Sequence, residues 1–383
     1  MRILVLSHEY PPIGGGGSRV VQDVSRGLVR LGHEVQIITA QWKDLPRQET
    51  QDGVVIHRLV SGRTQPFRAG LTAMAGFILA GGWAALRMAR AWKPDVIHVH
   101  FAVPNGLAAL AVSRLTGVPY VLTAHLGDVP GGSPEKTGRW FRWIAPFTPP
   151  IWKGAAQVVA VSQFTRSLAL QHYPVDIQVV LNGVDLDELD PGEIRLNQPA
   201  RVIFAGRFVP QKDPLQLVRS LAAVKELPWT CSLLGDGALR AEVEQEIARL
   251  GLQERFSLSG WVTPQEVIEA FRHSDILFMP SRVEGLPVVG VQATAMGLAL
   301  VLSQAGGNVD LVDHAGDDLL ANQNGFLVDL AHPQGFEEAL RILLSSPEKL
   351  LACRKASRKV AKKFDLRAVV ESYDQIFTRV LKQ

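Results

Sequence analysis

The sequence predicts an α/β protein made of two successive domains, and three observations carry that expectation. At 383 residues the chain exceeds what one ordinary hydrophobic core organises. Short β-branched and apolar runs alternate with helical periodicities along its length, which is the pattern of parallel strands covered by helices. That alternation lapses once in the middle. Asn182-Gly183 is a strong turn signal, and the stretch from Asp187 to Pro199 has little apolar content. The domains are therefore set at 1–185 and 186–363, with a terminal helix over 364–383.

Composition narrows the class. Hydrophobic residues make up 47% and charged residues 20%, which describes a soluble globular protein and excludes a disordered one. The net charge of +3 is mildly basic, but no Lys/Arg cluster is interleaved with aromatics in a nucleic-acid-binding motif, so no nucleic acid is expected as partner. Cys231 and Cys353 lie far apart and lack metal-ligand spacing, so free thiols in a reducing, cytoplasmic compartment are expected. Met1 to Ser7 is expected to be a strand and not a signal peptide, its apolar run being too short. One segment, Ala69 to Leu86, has no charge between Arg68 and Arg87 and only just reaches the length of a spanning helix. Four glycines and a threonine dilute it, so a buried helix of the first domain is expected, with membrane contact as the alternative.

In the first half, the strand Ile3–Leu6 leads to Pro11-Pro12 and the glycines at 14–17, then to a helix capped by Ser18. Val21, Val24, Leu28 and Leu31 mark its apolar face, Gly32 ends it, and the strand Val35–Thr39 follows. A dinucleotide fingerprint fails here. G-x-G-x-x-G counted from Gly14 puts Arg19 at the third glycine, and no acidic residue closes the second strand. Consecutive glycines instead let backbone N–H groups approach an anion or sugar; a flexible turn is the plainer alternative. The strand Val96–Val99 places His98 and His100 on one face, with no third metal ligand nearby, so a structural role is expected.

The run from Val118 to Asp128 is a buried strand delivering His125, Gly127 and Asp128 at its carboxyl end, where open α/β sheets hold ligands. The stretch from Arg139 to Trp152 is dense in aromatics and arginines, suited either to packing or to an acceptor or lipid headgroup. Strands at Ala156–Val161 and Ile177–Leu181 complete the first sheet. Asp185-Leu-Asp187 has the form of an Asp-x-Asp metal clamp, but its place at the domain boundary argues against one.

The second half begins with the strand at Arg201 and reaches Gly206-Arg207, with Lys212 and Asp213 close behind. A strand-to-helix turn follows at Gly235-Asp236-Gly237, and another strand ends at Gly260-Trp261. Thr263-Pro-Gln-Glu266 is a capping box with proline at the first helical position. Ile276–Met279 is a strand stopped by Pro280. A loop then presents Glu284, and Gly285 opens a helix through Val288, Val291, Gln292 and Ala295. A carboxylate beside the unpaired N–H groups of a helix start suits a ligand with both sugar hydroxyls and phosphates. Leu300–Ser303 leads to Gly306-Gly307 and Asp310, and Gly325–Val328 is the last strand. The helical tail from Pro347 is basic (Arg354, Lys355, Arg358, Lys359, Lys362, Lys363), and attraction to a membrane is a secondary expectation for it.

The run Pro280–Gly297 resembles the signature of glycosyltransferase family 4, retaining enzymes of the GT-B fold. The family pattern is Glu, seven residues, then Glu. Glu284 fits the first place, while Gln292 stands at the second and keeps an acceptor oxygen without the charge. The glycine loop, the His125 segment, the Gly206–Asp213 segment and Gly306-Gly307 resemble family segments in the same order. The His125 segment departs in that Leu126 separates His125 from Gly127.

The resemblance implies two Rossmann-like doubly wound domains facing across a cleft, with the terminal helix crossing back near Phe364-Asp365. It implies a metal-independent hexosyltransferase that needs no cofactor and moves sugar from a UDP- or GDP-sugar to a glycan or lipid-linked acceptor. Glu284 would hold sugar hydroxyls, with Gly285 and Leu286 beside it. Arg207 and Lys212 would hold the diphosphate and stabilise its leaving charge, and His125 with Asp128 would stand near the reacting carbon. Gln292 would hold the ribose, backbone at Gly260 and Trp261 the base, and Gly15, Gly16, Gly306 and Gly307 the phosphates and acceptor. The departing phosphate would take the acceptor proton. Cell-surface polysaccharide or glycolipid synthesis at the inner face of the membrane is the implied setting. A non-transferring protein of the same fold (a sugar-nucleotide epimerase or an idle binding module) is the alternative that Gln292 keeps open.

Overall fold

The computed structural model describes residues 1–66, 69–133, 141–313 and 323–382; residues 139 and 140 of the aromatic and arginine-rich stretch lie outside them. The chain divides into two compact units, one of Met1–Gly183 with Leu366–Gln383, the other of Val184–Asp365.

The first unit carries β1 (Arg2–Leu6), α1 (Gly16–Arg30), β2 (Glu34–Ala40), β3 (Gln48–Gln51), β4 (Val54–Leu59) and α2 (Leu71–Ala91). After these come β5 (Val96–His100), α3 (Leu107–Thr116), β6 (Tyr120–Ala124), α4 (Phe141–Ile144), α5 (Pro149–Gly154), β7 (Gln157–Ala160), α6 (Gln163–Leu170) and β8 (Ile177–Val179). The sheet order is β3-β4-β2-β1-β5-β6-β7-β8, parallel except where β3 runs against β4. Every residue of β5 and β6 is buried, because helices cover both faces of a parallel sheet. Strand order reverses between β1 and β5, so the loops after those two strands flank a crevice at the carboxyl edge.

Helix α1 begins at Gly16, two residues before the expected cap. Gly15 takes the cap position, and the Ser18 hydroxyl, inside the first turn, donates to the Gly15 carbonyl at 2.7 Å. At the other end Gly32 (φ +87°) lets its own N–H reach Val29 O and that of His33 reach Leu28 O, closing the helix as expected. Helix α2 differs from the buried helix expected. Ala73, Phe77, Gly81, Ala85 and Ala89 form an inward stripe one residue in four, while Leu79 and Trp83 on the outer side are 75% and 64% exposed. Apart from Phe77 the inward stripe is small while Leu79 and Trp83 lie outside, and its length and composition would let it cross a membrane.

The second unit holds β9 (Ala200–Ala205), α7 (Pro214–Ala222), β10 (Trp229–Leu234), α8 (Arg240–Arg249), β11 (Phe256–Gly260), α9 (Pro264–Arg272) and β12 (Ile276–Met279). It continues with α10 (Val288–Ala295), β13 (Ala299–Ser303), β14 (Gly325–Val328), α11 (Gly335–Ser345) and α12 (Pro347–Val360). Its sheet, β11-β10-β9-β12-β13-β14, is parallel throughout. The capping box of α9 forms as expected, Thr263 N–H donating to Glu266 Oε2 at 2.6 Å and Glu266 N–H to Thr263 Oγ1 at 3.3 Å. Helix α13 (Leu366–Val380) returns the chain to the first unit. Its Val369, Val370, Tyr373, Ile376 and Phe377 are buried at helical spacing, and Val370 presses where a side chain on Gly27 of α1 would stand.

Two residues of the basic tail serve the fold. Arg354 is buried, and its Nη1 lies 2.5 Å from Asp275 Oδ1 while its Nε donates to Gly297 O at 2.8 Å. Asp275, fully buried, also accepts from Arg201 N and from both nitrogens of Asn197. Burial pulls the Arg354 guanidinium down from its usual pKa. Arg358 donates to Leu189 O at 3.2 Å and to Ala295 O. Both cysteines are free and buried, which pushes their thiols up. Removing one member of a buried pair strands the other, so Asp275→Ala should cost about 3 kcal/mol in chemical denaturation. A loss below ~1 kcal/mol would mean that Arg354 escapes to water.

Candidate functional site

In the second unit, β9 lies beside β12 on one side and β10 on the other, so the strand order reverses between β9 and β12. A crevice forms where the following loops part. The loop after β9 carries Gly206, Arg207 and Lys212; the loop after β12 carries Glu284, Gly285 and Leu286. Lys212 Nζ lies 2.5 Å from Glu284 Oε1, with side chains 18% and 7% exposed. Two further bonds lace the same loops. Arg282 N–H donates to Gln211 O at 2.7 Å, and Gln211 Nε2 donates to Val283 O at 2.9 Å. Asp213, left-handed at φ +47°, caps α7 through Gln216 N–H and pairs with Arg282 at 2.9 Å. Arg207 is half-buried at the carboxyl end of β9.

Glycines let the backbone close behind that pair. Gly307 N–H donates to Glu284 O at 2.9 Å. A Cβ on Gly306 would overlap Glu284 O, and one on Gly307 would overlap Gly285 O. The neighbouring turn repeats the device, since a Cβ on Gly235 would overlap the Gly206 carbonyl. Gly260, at φ +68°, ends β11 and accepts from Gly235 N–H at 2.8 Å. Trp261 beside it is 51% exposed.

Helix α10 starts at Val288, not at Gly285. Pro287 occupies its cap at ψ 118°, and a proline holds the residue before it, Leu286, out of helical geometry. No side chain caps its first turn. Gln292 is partly buried in its second turn, and Asp310 lies in the short 3-10 turn Gly306–Leu311 that Gly306-Gly307 open.

The first unit builds a second cluster at its own strand reversal. Gly14 (φ +94°) donates to Pro66 O at 2.8 Å, and a Cβ on it would come within 2.7 Å of Glu9 Oε2. A Cβ on Gly17 would sit 2.7 Å from Phe101 Cζ and 3.6 Å from His125 Nδ1. Gly15, by contrast, has open space, and Gly16 opens α1. His125 follows β6, nearly buried, with its ring stacked on Phe101 at 4.4 Å and 25°. Asp128 turns inward, its Oδ2 accepting from His125 N–H at 2.8 Å, so it braces the loop that carries the imidazole. The Asp185-Leu-Asp187 pair is spent in a turn, Asp185 Oδ1 accepting from Asp187 N–H and Glu188 N–H. Among the described residues no group of three histidine, cysteine or acidic side chains is placed to hold a metal.

Sequence reasoning missed Phe101, Gln211 and Arg282. Phe101 sits at φ +68°, costly for an aromatic residue, and no local signal announces that. Gln211 and Arg282 had a faint signal, as long polar side chains in loops that leave adjacent strands.

Residues 14–188 match the family model described as Glycosyltransferase Family 4, and residues 187–360 the one described as Glycosyl transferases group 1. The D-inositol 3-phosphate glycosyltransferase of Segniliparus rotundus is 27% identical over 93% of this chain and 83% of its own length. Sucrose-phosphate synthase from Thermosynechococcus elongatus superposes with a TM-score of 0.84 at 18% identity, covering 100% of this chain and 99% of that one. The Anabaena protein HepE, solved with UDP and glucose, does so with 0.76 at 19% identity, covering 99% of this chain and all of its own. These likenesses show the fold, and the GT-B expectation holds.

The glycine geometry separates two substitutions. Gly307→Ala should lower stability by about 2 kcal/mol in chemical denaturation, because backbone must shift to admit the methyl group. Gly15→Ala meets nothing within 4 Å and should change it by less than ~0.5 kcal/mol. Equal losses would contradict the loop packing.

Proposed function

Because the chain belongs to glycosyltransferase family 4, we propose that it moves a hexose from a UDP- or GDP-sugar to a hydroxyl of a glycan or glycolipid, with retained configuration and without a metal. The observation that carries this reading is the Lys212–Glu284 pair at the strand reversal of the second unit. It sets a hydroxyl acceptor and a phosphate-binding cation side by side where an α/β sheet holds its ligand. A likeness in fold to a protein solved with UDP and glucose agrees with it.

In this reading the bond from the anomeric carbon to the diphosphate oxygen breaks, and negative charge gathers on the leaving group. Lys212 and Arg207 stabilise that charge in a cleft with little water. Glu284 accepts hydrogen bonds from sugar hydroxyls, Gln292 meets the ribose, and backbone at Gly260 and Trp261 meets the base. The amides of Gly306 and Gly307 face the phosphates, while Gly15 and Gly16 serve the phosphates and acceptor from the first unit. His125, on a loop braced by Asp128, stands by the reacting carbon. The acceptor oxygen bonds to that carbon on the face the leaving group vacates, and its proton passes to the departing phosphate. The outer face of α2, with Leu79 and Trp83 exposed and Arg87 and Arg90 near its end, suits peripheral contact with the inner face of a membrane that holds a lipid-linked acceptor.

Two variants separate binding from chemistry. In metal-free calorimetry UDP or GDP should bind, and Lys212→Ala should weaken binding at least ~10-fold, about 1.4 kcal/mol. His125→Ala should keep nucleotide affinity within about twofold while kcat falls about a hundredfold. Binding of no nucleoside diphosphate, or of NAD alone, would overturn the reading. The acceptor panel should include inositol phosphate, named in the Segniliparus relative. For the membrane contact, the protein should co-sediment with anionic vesicles and Leu79→Ser/Trp83→Ser should not; equal co-sedimentation would discard that face.

A further inference from the structure

The loop after β1 carries four glycines in a row, and glycine imposes no backbone conformation of its own. Helix α1, which those glycines open, has no side-chain cap to fix its first turn. The loop therefore relies on what lies against it, and residues 61–66, between β4 and α2, lie there.

Gly14 is where the two segments meet. At φ +94° it holds a conformation that few other residues adopt. Its N–H donates to Pro66 O at 2.8 Å. Glu9 packs against its α-carbon, with Oε2 2.7 Å and Cβ 2.8 Å from the place of a Gly14 Cβ. One side chain binds both of these partners. Arg63, its side chain 1% exposed, donates from Nη2 to Pro66 O at 3.0 Å and to Glu9 Oε1 at 3.2 Å. Its Nη1 donates to His8 O at 3.3 Å and its Nε to Gln65 O at 2.9 Å. Two of these bonds stay within residues 61–66, and two cross to the loop after β1. A guanidinium holds its N–H groups in a rigid planar fork, so the four acceptors take fixed places relative to one another. Helix α2 backs the same segment, since a Cβ on Gly76 would overlap the Ser61 carbonyl.

We propose that Arg63 is a positioning residue for the glycine loop: by holding Pro66 O and Glu9 together it seats Gly14, and so sets where the amides of Gly15 and Gly16 point. The inference rests on the reading that Gly15 and Gly16 serve the phosphates and acceptor, and it adds how they are held. Arg63 is shielded from water, so it acts through the loop and not on the ligand. Lysine would keep the charge but present it from one point, and could not hold all four acceptors.

The test follows amide hydrogen exchange by mass spectrometry in full-length wild type, Arg63→Lys and Arg63→Gln. Exchange in peptides within residues 7–18 should quicken about tenfold in Arg63→Gln, and less in Arg63→Lys, while the second unit keeps its wild-type rates. In Arg63→Gln, kcat with the UDP- or GDP-sugar that the wild type uses should fall about tenfold, and Arg63→Lys should recover part of that loss. Affinity for UDP or GDP should weaken less than about threefold, because Lys212 and Arg207 remain. Unchanged exchange at residues 7–18 in folded Arg63→Gln would overturn the proposal, as would a quickening spread evenly over the first unit. If Arg63→Gln does not fold, Arg63→Lys and Gly76→Ala, which presses residues 61–66 from the α2 side, decide the matter by the same signs. Exchange and turnover also part this proposal from the transfer reading. Local quickening with kcat unchanged leaves the clamp standing and removes the glycine loop from the reaction; unchanged exchange in a protein that transfers sugar does the reverse.

Discussion

A carboxylate that is nearly buried must be paired or give up its charge, and in the second unit Glu284 is paired with Lys212. Much of that unit's carboxyl edge is arranged so that this pair can form. The partners come from loops after β9 and β12, neighbours in the sheet but more than seventy residues apart in sequence, so the strand reversal has to come first. The loops must then lie close enough for one lysine to span them, which the Gln211 and Arg282 bonds secure. Behind Glu284 the chain turns back so tightly that only glycine fits at 306 and 307. In the proposed reading the pair also supplies a ready exchange, since hydroxyls and phosphate oxygens of a sugar nucleotide would take over the bonds that each charge now gives the other.

The first unit answers a different demand with the same means. Its functional candidate is an imidazole and not a charge pair, so it needs orientation more than neutralisation. Phe101 supplies a flat wall at the expense of a left-handed backbone, and Gly17 leaves room for that wall. Beneath the imidazole the polar chain from His100 through His98 and Thr123 ends on Tyr373, a residue of α13. A side chain beside the His125 loop is thus continuous with helix α13.

Much of this was legible in the sequence where local chemistry decides. Strands ended at proline or glycine, and the Thr263 capping box formed. The readings that failed turned on geometry across elements. Ser18 looked like a cap because serine often is one, but Gly15, three residues earlier, takes the cap position. Gly285 looked like a helix start, yet Pro287 set the boundary at Val288. In α2 the run of apolar residues was visible, while the side it would turn inward depended on whether small or large residues suit the sheet beneath. The Lys212–Glu284 and His100–His125 contacts depend on strand order, which spacing along the chain does not encode. The strained backbone of Phe101 left no trace at all.

Helix α13 belongs to the first unit but follows every other element in sequence, and this orders the birth of the protein. During synthesis the first half emerges with the flank of α1 at Gly27 bare and Thr123 lacking its tyrosine, and it stays so while all of the second half is made. The second unit is one continuous segment and can close as soon as it leaves the ribosome. The half translated first is therefore completed only after the second unit has been made, and until α13 emerges the flank of α1 at Gly27 is covered by nothing of the first unit's own.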